Sequence, residues 1–149
     1  MLTIVIIVVA LLIVALVIKY YNYRNRFSDK IFSFSLTAQP HNCLEEKFFS
    51  LVERELIRKL RLSGASVYEK LTCKLPPGQY ISIGVVLNLI EGYEVTSVKW
   101  QIFFYDLSHG SDKYIFSDLI TVNYIEDWSK TVAKKIFKDI WQIWRQNQI

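Results

Sequence analysis

Residues 79–90 read QYISIGVVLNLI, and this stretch decides the class of the fold. Apolar side chains stand at every second position from Ile81 to Leu89, which is the period of a β-strand with one buried face. Turn-forming residues bound the run at Pro76–Pro77–Gly78 and at Glu91–Gly92. The stretch therefore predicts a long strand in a sheet that covers one core.

Other runs with the same alternation lie on both sides of this strand. Residues 95–106 and 113–124 follow it, residues 66–73 precede it, and residues 31–38 form an earlier strand with Phe32, Phe34 and Leu36 on one face. The connections between the later strands are short and contain Gly, Pro, Asp and Ser. Because short connections join antiparallel neighbours, we expect an antiparallel meander.

Two segments have helical periodicity. The first begins at Asn42, which stands three residues before Glu45 as in a capping box, and it continues with one apolar face to Gly64. The second covers about residues 126–146 and carries aromatic and aliphatic side chains opposite a row of lysines. Two amphipathic helices on one face of a sheet form a two-layer α+β domain, here in the order β-α-β-β-β-β-α. We place this domain at residues 30–149.

Residues 2–18 read LTIVIIVVALLIVALVI and contain no charged side chain. As a helix they would span roughly 25 Å, close to the thickness of a hydrocarbon core. A cleavable signal peptide is one competing interpretation, but no basic residue precedes this block and no small-residue cleavage site follows it. A buried core helix is the other, but the block lacks the polar face that such a helix usually has. We therefore expect residues 1–18 to be a single transmembrane anchor.

Residues 19–29, KYYNYRNRFSD, follow as a basic and aromatic juxtamembrane connector. Its expected membrane-interface residues are Lys19, Tyr20, Tyr21, Tyr23, Arg24 and Arg26. Their basic side chains either contact anionic lipid headgroups or act only as a topology signal. Positive charge stays on the cytoplasmic side, so we expect a single-pass membrane protein with a cytoplasmic C-terminal domain, in the inner membrane if the source is bacterial. A domain on the opposite side of the membrane is the alternative.

The distribution of charge along the chain does not favour a nucleic acid as a partner. The net charge is +4, but residues 31–149 contain 14 basic and 13 acidic side chains. The domain is therefore nearly neutral, and a nucleic-acid-binding domain normally carries its own basic patch.

Residues that could support catalysis or hold a metal are few. The five glycines form no phosphate-binding loop, and the two histidines, His41 and His109, lie in turn-like segments. Whether Cys43 and Cys73 form a disulfide depends on the compartment and stays open. Asp118 shares a face with apolar neighbours, so it either lies at a solvated margin of the sheet or requires a buried partner. We expect no enzyme, no cofactor and no metal site.

Aromatic residues make up 15% of the chain, and they either form a binding surface or fill the core between the helices and the sheet. The candidate partner-binding residues are Phe103, Tyr105, Trp141 and Ile143. The first two belong to a second sheet face that also carries apolar side chains, which is either a docking surface or a locally covered core. Our hypothesis is a non-enzymatic, membrane-anchored interaction module, a subunit or accessory protein of a cell-envelope membrane complex. The alternative is a domain of an envelope transport system that binds a lipid or another hydrophobic ligand.

Overall fold

The computed structural model describes residues 2–69, 81–91, 96–106, 111–122 and 128–147. The elements, in chain order, are α1 (Leu2–Arg24), β1 (Ile31–Ala38), α2 (Cys43–Leu62), β2 (Ser66–Glu69), β3 (Ile81–Glu91), β4 (Thr96–Asp106), β5 (Ser111–Val122) and α3 (Ser129–Asn147). The predicted α+β class, the N-terminal apolar helix and the order of the elements are confirmed.

The five strands form one mixed sheet in the order β2-β1-β3-β4-β5. The expected meander is present from β3 to β5, where Ile81 pairs with Asp106 and Ile102 pairs with Phe116 in antiparallel register. It does not extend to the first two strands, because β1 is parallel to both β2 and β3. An antiparallel meander for the whole sheet was therefore the wrong prediction.

The connections explain the parallel pairs. α2 joins β1 to β2 and returns the chain to the end of the sheet at which β1 began, so that β2 runs in the same direction as β1. Residues 70–80 separate β2 from β3, which is more than a tight hairpin requires. The proline-rich turn expected within that connection lies outside the described residues. β1 is thus a central strand, and its residues Phe32, Ser33 and Phe34 are buried in succession.

α2 and α3 lie side by side on one face of the sheet and bury the core between the layers. The inward strand residues include Phe34, Ile83 and Trp100, each at most 1% exposed. From the helices come Leu56 and Ile136, which are both fully buried. The helical and alternating patterns of the sequence thus meet in one contiguous core, as the two-layer prediction requires.

The start of α2 has the capping geometry that the sequence predicts. The backbone N–H of Glu45 donates to Asn42 Oδ1 at 2.9 Å, and the Glu45 carboxylate accepts from the backbone N–H of His41 at 2.7 Å. The carboxylate also accepts from Asn42 Nδ2 at 3.1 Å. These contacts satisfy donors that the first turn of a helix leaves unpaired, and they explain how Glu45 can be buried.

α1 differs from the other helices because it carries apolar side chains around its whole circumference. Residues Ile4–Arg24 are long and apolar enough to cross a membrane, and none of that span is buried inside the protein. The helix continues without a break past the predicted end of the anchor at residue 18 and reaches Arg24. The first half of the expected connector is therefore helical.

Candidate functional site

The junction between α1 and the domain is built around Phe27. This side chain is fully buried and meets Phe32, Phe137, Trp141 and Trp144 edge to face, with ring centroids 5.3–6.2 Å apart. Edge-to-face rings gain electrostatic energy beyond the burial of their area. The segment that follows the apolar helix is therefore part of the domain core.

Backbone contacts also stabilise the junction between α1 and the domain. The N–H of Phe27 donates to the carbonyl of Ser63 at 2.9 Å. Gly64 has a φ of +94°, and a Cβ placed on it would lie 2.6 Å from the carbonyl oxygen of Arg24. Only glycine permits this backbone conformation and this close approach together. The turn after α2 thus holds the end of α1 against the domain.

Arg26 links the end of α1 to α3, which are far apart in the sequence. Its guanidinium lies 4.9 Å from the ring centroid of Tyr23 and 5.1 Å from that of Trp141. Such stacking over aromatic faces is favourable for arginine. Two predicted membrane-interface residues and one predicted partner-binding residue are therefore neighbours in the structure.

A cavity of about 410 Å³ opens beside this stack, between the end of α1, α2 and α3. We call it the cationic cavity. Its lining residues are Tyr23, Arg26, Lys59, Thr131, Lys134, Lys135, Phe137 and Lys138. Five of the eight carry a positive charge and none carries a negative one, so the cavity is suited to an anionic group.

Acidic residues outside the cavity pair with two of its cations. Glu55 lies 3.6 Å from the Lys59 ammonium, and Asp118 lies 3.5 Å from that of Lys135. The hydrogen bonds that Arg58 donates to Glu55 hold the pKa of this carboxyl below its ordinary value. Within the described ranges, no carboxylate lies within ion-pair distance of Arg26, Lys134 or Lys138.

The face of the sheet opposite the helices forms a second surface, which we call the open face. Val86 and Phe103 are half-buried on it, and Ile90, Tyr105 and Leu119 are 54%, 38% and 52% exposed. The registers place Phe103 opposite Gly84 and Leu119 opposite Lys99, so these side chains lie on one face of neighbouring strands. The residues described on this face include apolar groups that none of the described helices covers.

Phe103 has a structural role on the open face as well. A Cβ on Gly84 would meet Phe103 Cβ at 3.7 Å and Ser35 Oγ at 3.9 Å. The phenylalanine therefore packs beside the glycine of the neighbouring strand at ordinary van der Waals distance. Tyr105, on the same face, is the more accessible of the two predicted docking residues.

The two edges of the sheet differ. β2 is only four residues long, and Arg61 caps it by donating to the carbonyl of Val67 at 3.2 Å and by pairing with Glu69 at 3.0 Å. β5 is twelve residues long and pairs on one side with β4. Short edge strands covered by charged side chains seldom pair with strands of other chains, whereas long exposed edge strands can do so.

The remaining predicted partner-binding and membrane-interface residues, and Asp118, lie at different places in the structure. Ile143 is 6% exposed and belongs to the core, so its assignment to a docking surface is corrected, whereas Trp141 is half-buried at the junction. Lys19, Tyr20, Tyr21 and Arg24 are exposed on α1. Asp118 lies at the margin of the sheet, paired with Lys135.

In the described part of the chain, the side chains that could support catalysis or hold a metal do not cluster. His41 is exposed, and Cys43 is an exposed free thiol. Among the described residues, no group of three or more His, Cys, Asp or Glu side chains could hold a metal ion. His109 and Cys73 lie outside the described residues.

The comparisons with known proteins give only distant likenesses. No family model and no curated protein sequence matches this chain. Among solved structures, PelC from Paraburkholderia phytofirmans, a dodecamer, aligns with a TM-score of 0.46 and 14% identity over 74% of this chain and 87% of that one. Lipoprotein GNA1162 from Neisseria meningitidis aligns with a TM-score of 0.45 and 12% identity over 74% and 96%. A minor lipoprotein from Acinetobacter baumannii gives 0.41 and 11% over 74% and 94%. These values are too low to transfer any property to this chain.

Sequence reasoning missed three groups that shape these surfaces. Phe27 belongs to the predicted connector, and neither Lys59 nor Asp139 is among the predicted site residues. Phe27 offered a signal, since it is an isolated large apolar residue between a polar segment and a strand. The other two offered none, because their surroundings depend on how α2 and α3 pack against each other and on the sheet.

Proposed function

We propose that this protein is a non-enzymatic, membrane-anchored interaction module, a subunit or accessory protein of a membrane complex of the cell envelope. One observation carries the proposal: the segment that directly follows α1 is built into the domain core through Phe27, so a membrane-embedded α1 would hold the domain in a set orientation. Confinement to a bilayer raises the effective concentration of a domain for partners in the same membrane.

The open face supplies the docking surface in this proposal. Its exposed members Ile90, Tyr105 and Leu119 lie on the side of the sheet away from α2 and α3. The registers place Ile90 and Leu119 near one end of this face and Tyr105 near the other, with the half-buried Val86 and Phe103 between them. An uncovered apolar face of this kind is typical of protein interaction sites. The partner is another protein of the same membrane, with an apolar surface of its own. The long edge of β5 extends this surface and could accept a strand of the partner.

The roles of the acidic side chains support a non-enzymatic module. Glu45 caps α2, Asp118 pairs with Lys135, and Asp139 accepts from the indole of Trp100. Each of these carboxylates thus has a structural partner.

The packing of the core gives no support to the alternative of a bound hydrophobic ligand. Trp100, Ile136 and Ile140 are fully buried between the sheet and the helices, where such a ligand would have to lie.

The basic residues after the apolar span support a cytoplasmic domain. Lys19, Arg24, Arg26 and Lys30 follow the span within one short segment. The excess of Lys and Arg near the end of a transmembrane helix favours the cytoplasmic side. A reporter fused after Ile149 tests this orientation, and a reporter active only outside the cytoplasm would contradict it.

The docking proposal is tested by extracting the full-length chain in a mild detergent and identifying proteins that co-purify in fixed ratio. The double variant Ile90→Glu/Leu119→Glu places two charges on the open face and should abolish co-purification. Leu44→Glu/Leu62→Glu is the matched control, because these leucines are 57% and 50% exposed on α2. A chain that runs alone, or loses its partner equally in both variants, would contradict the docking surface. A chain that needs no detergent would contradict the anchor.

A further inference from the structure

We propose that the cationic cavity binds the phosphate-bearing headgroup of an anionic membrane lipid. The proposal deepens the proposed function and rests on its membrane anchor, but not on the open face or on any protein partner. Phosphate is the common chemistry, and the membrane lipid is the source to which we commit.

The charge of the cavity points to a phosphate. Arg26, Lys134 and Lys138 line it, and in the described part of the chain none of the three is paired with a carboxylate. Lys59 and Lys135 add two further ammonium groups, which are shared with Glu55 and Asp118. A phosphate accepts short, charge-assisted hydrogen bonds from guanidinium and ammonium groups, and these are the stronger hydrogen bonds in proteins.

The position of the cavity points to a lipid. Tyr23 lines the cavity, and it follows the last residue of the apolar block, Ile18, by five positions in an unbroken helix. At 1.5 Å per residue this places Tyr23 about 7 to 8 Å beyond the apolar span. The headgroup layer of each leaflet is about 5 to 8 Å thick. Tyr23 therefore lies at the outer boundary of the headgroup layer when α1 spans a bilayer, which brings the cavity that it lines within reach of the lipid phosphates.

The shape and the apolar lining fit a headgroup as well. A volume of about 410 Å³ is within the range of small-molecule sites. Tyr23 and Phe137 line the same cavity, with ring centroids 5.8 Å apart. These rings can contact the glycerol end of a lipid while the surrounding cations contact its phosphate. A free inorganic phosphate would leave the aromatic part of the cavity unfilled.

The test uses the full-length chain in nanodiscs of phosphatidylcholine with or without phosphatidylglycerol, followed by native mass spectrometry to count the lipids that stay bound. The wild-type chain should retain phosphatidylglycerol in preference to phosphatidylcholine. Lys134→Gln/Lys138→Gln should reduce this retention about 30-fold, because two charges near the membrane surface are removed. Both lysines are exposed, so the fold should persist, and thermal unfolding checks that it does.

Lys47→Gln/Lys130→Gln is the matched control, because it removes the same charge from exposed lysines outside the cavity. It should retain phosphatidylglycerol like the wild type. Equal losses in both variants, or no preference in the wild type, would overturn the proposal. A second arm adds inorganic phosphate to the chain in non-ionic detergent. Phosphate binding that depends on Lys134 and Lys138, without lipid retention, would assign the cavity to a soluble ligand and also overturn it.

The outcomes for the two proposals are independent. Lipid retention without a co-purifying protein would support the cavity and contradict the docking surface. A stable protein complex whose lipid content is the same in wild type and Lys134→Gln/Lys138→Gln would support the docking surface and contradict lipid binding in the cavity.

Discussion

The indole nitrogen of Trp100 donates a hydrogen bond to Oδ2 of Asp139 at 3.0 Å, across the interface between the sheet and α3. Trp100 is fully buried and Asp139 is 7% exposed. The Lys135 ammonium lies 5.4 Å from the centroid of the Trp100 ring. This contact is a buried polar link between β4 and the last helix.

Trp100→Phe should lower the free energy of unfolding of the full-length chain in detergent by about 1 to 3 kcal/mol, because it leaves a buried carboxylate without its donor. Chemical denaturation measures the loss. In the background of Asp139→Ala the same substitution should cost less, since the carboxylate is then absent. Equal costs in the two backgrounds would show that the hydrogen bond contributes nothing.

Asp139→Asn should make stability less dependent on pH. Burial raises the pKa of the Asp139 carboxyl, and the hydrogen bond from Trp100 opposes that rise. A raised pKa in the folded state means that the contribution of this group is fully present below the ordinary carboxyl pKa and is lost as pH rises through the folded-state pKa. The variant should therefore gain stability over the wild type as the pH is raised from the ordinary carboxyl pKa, about 4, toward neutral. A constant difference in melting temperature across this range would contradict the assignment.

Glu55→Gln should have the opposite pH signature. The hydrogen bonds from Arg58 lower the pKa of Glu55, so its contribution is present above the ordinary carboxyl pKa and is lost as pH falls through the lowered value. The variant should be less stable than the wild type at pH 7, and the difference should shrink as the buffer becomes acidic. Melting temperatures at a series of pH values measure this, and a difference that grows in acid would refute it.

Gly64→Ala should destabilise the junction of α1 with the domain by about 1 to 3 kcal/mol, because alanine is strained at positive φ. Its Cβ would also lie 2.6 Å from the carbonyl oxygen of Arg24. Gly84→Ala is the matched control, since its Cβ meets only ordinary contacts at 3.7 and 3.9 Å. Limited proteolysis near residue 25 and denaturation should both distinguish the variants. Identical behaviour would show that the close approach is unimportant.

Phe27→Ala should cost about 3 to 5 kcal/mol, the range for deleting a large aromatic side chain from a core. Tyr21→Ala, six residues earlier and 66% exposed, should change the free energy of unfolding little. The comparison tests whether the segment after the anchor belongs to the core. A Phe27→Ala chain as stable as the Tyr21→Ala chain would show that this segment is only a tether.

Sequence periodicity determined most of the elements, because each type of secondary structure imposes its own spacing on the side chains that it buries. The alternation of residues 81–89 and the capping pair Asn42–Glu45 produced the expected strand and helix start. The uninterrupted apolar run of residues 2–18 likewise identified the N-terminal helix. These signals are local, so the surrounding fold did not alter them.

Only the tertiary structure decided the strand order and the composition of the surfaces. Alternation shows which face of a strand is buried but not which strand lies beside it, so the parallel pairing of β1 with β2 and β3 could not be read from it. The burial of Ile143, the stack of Arg26 on Trp141 and the convergence of Lys59 with Lys134 have the same origin. Each depends on contacts between residues that are distant in the chain, and no short window of sequence contains both partners.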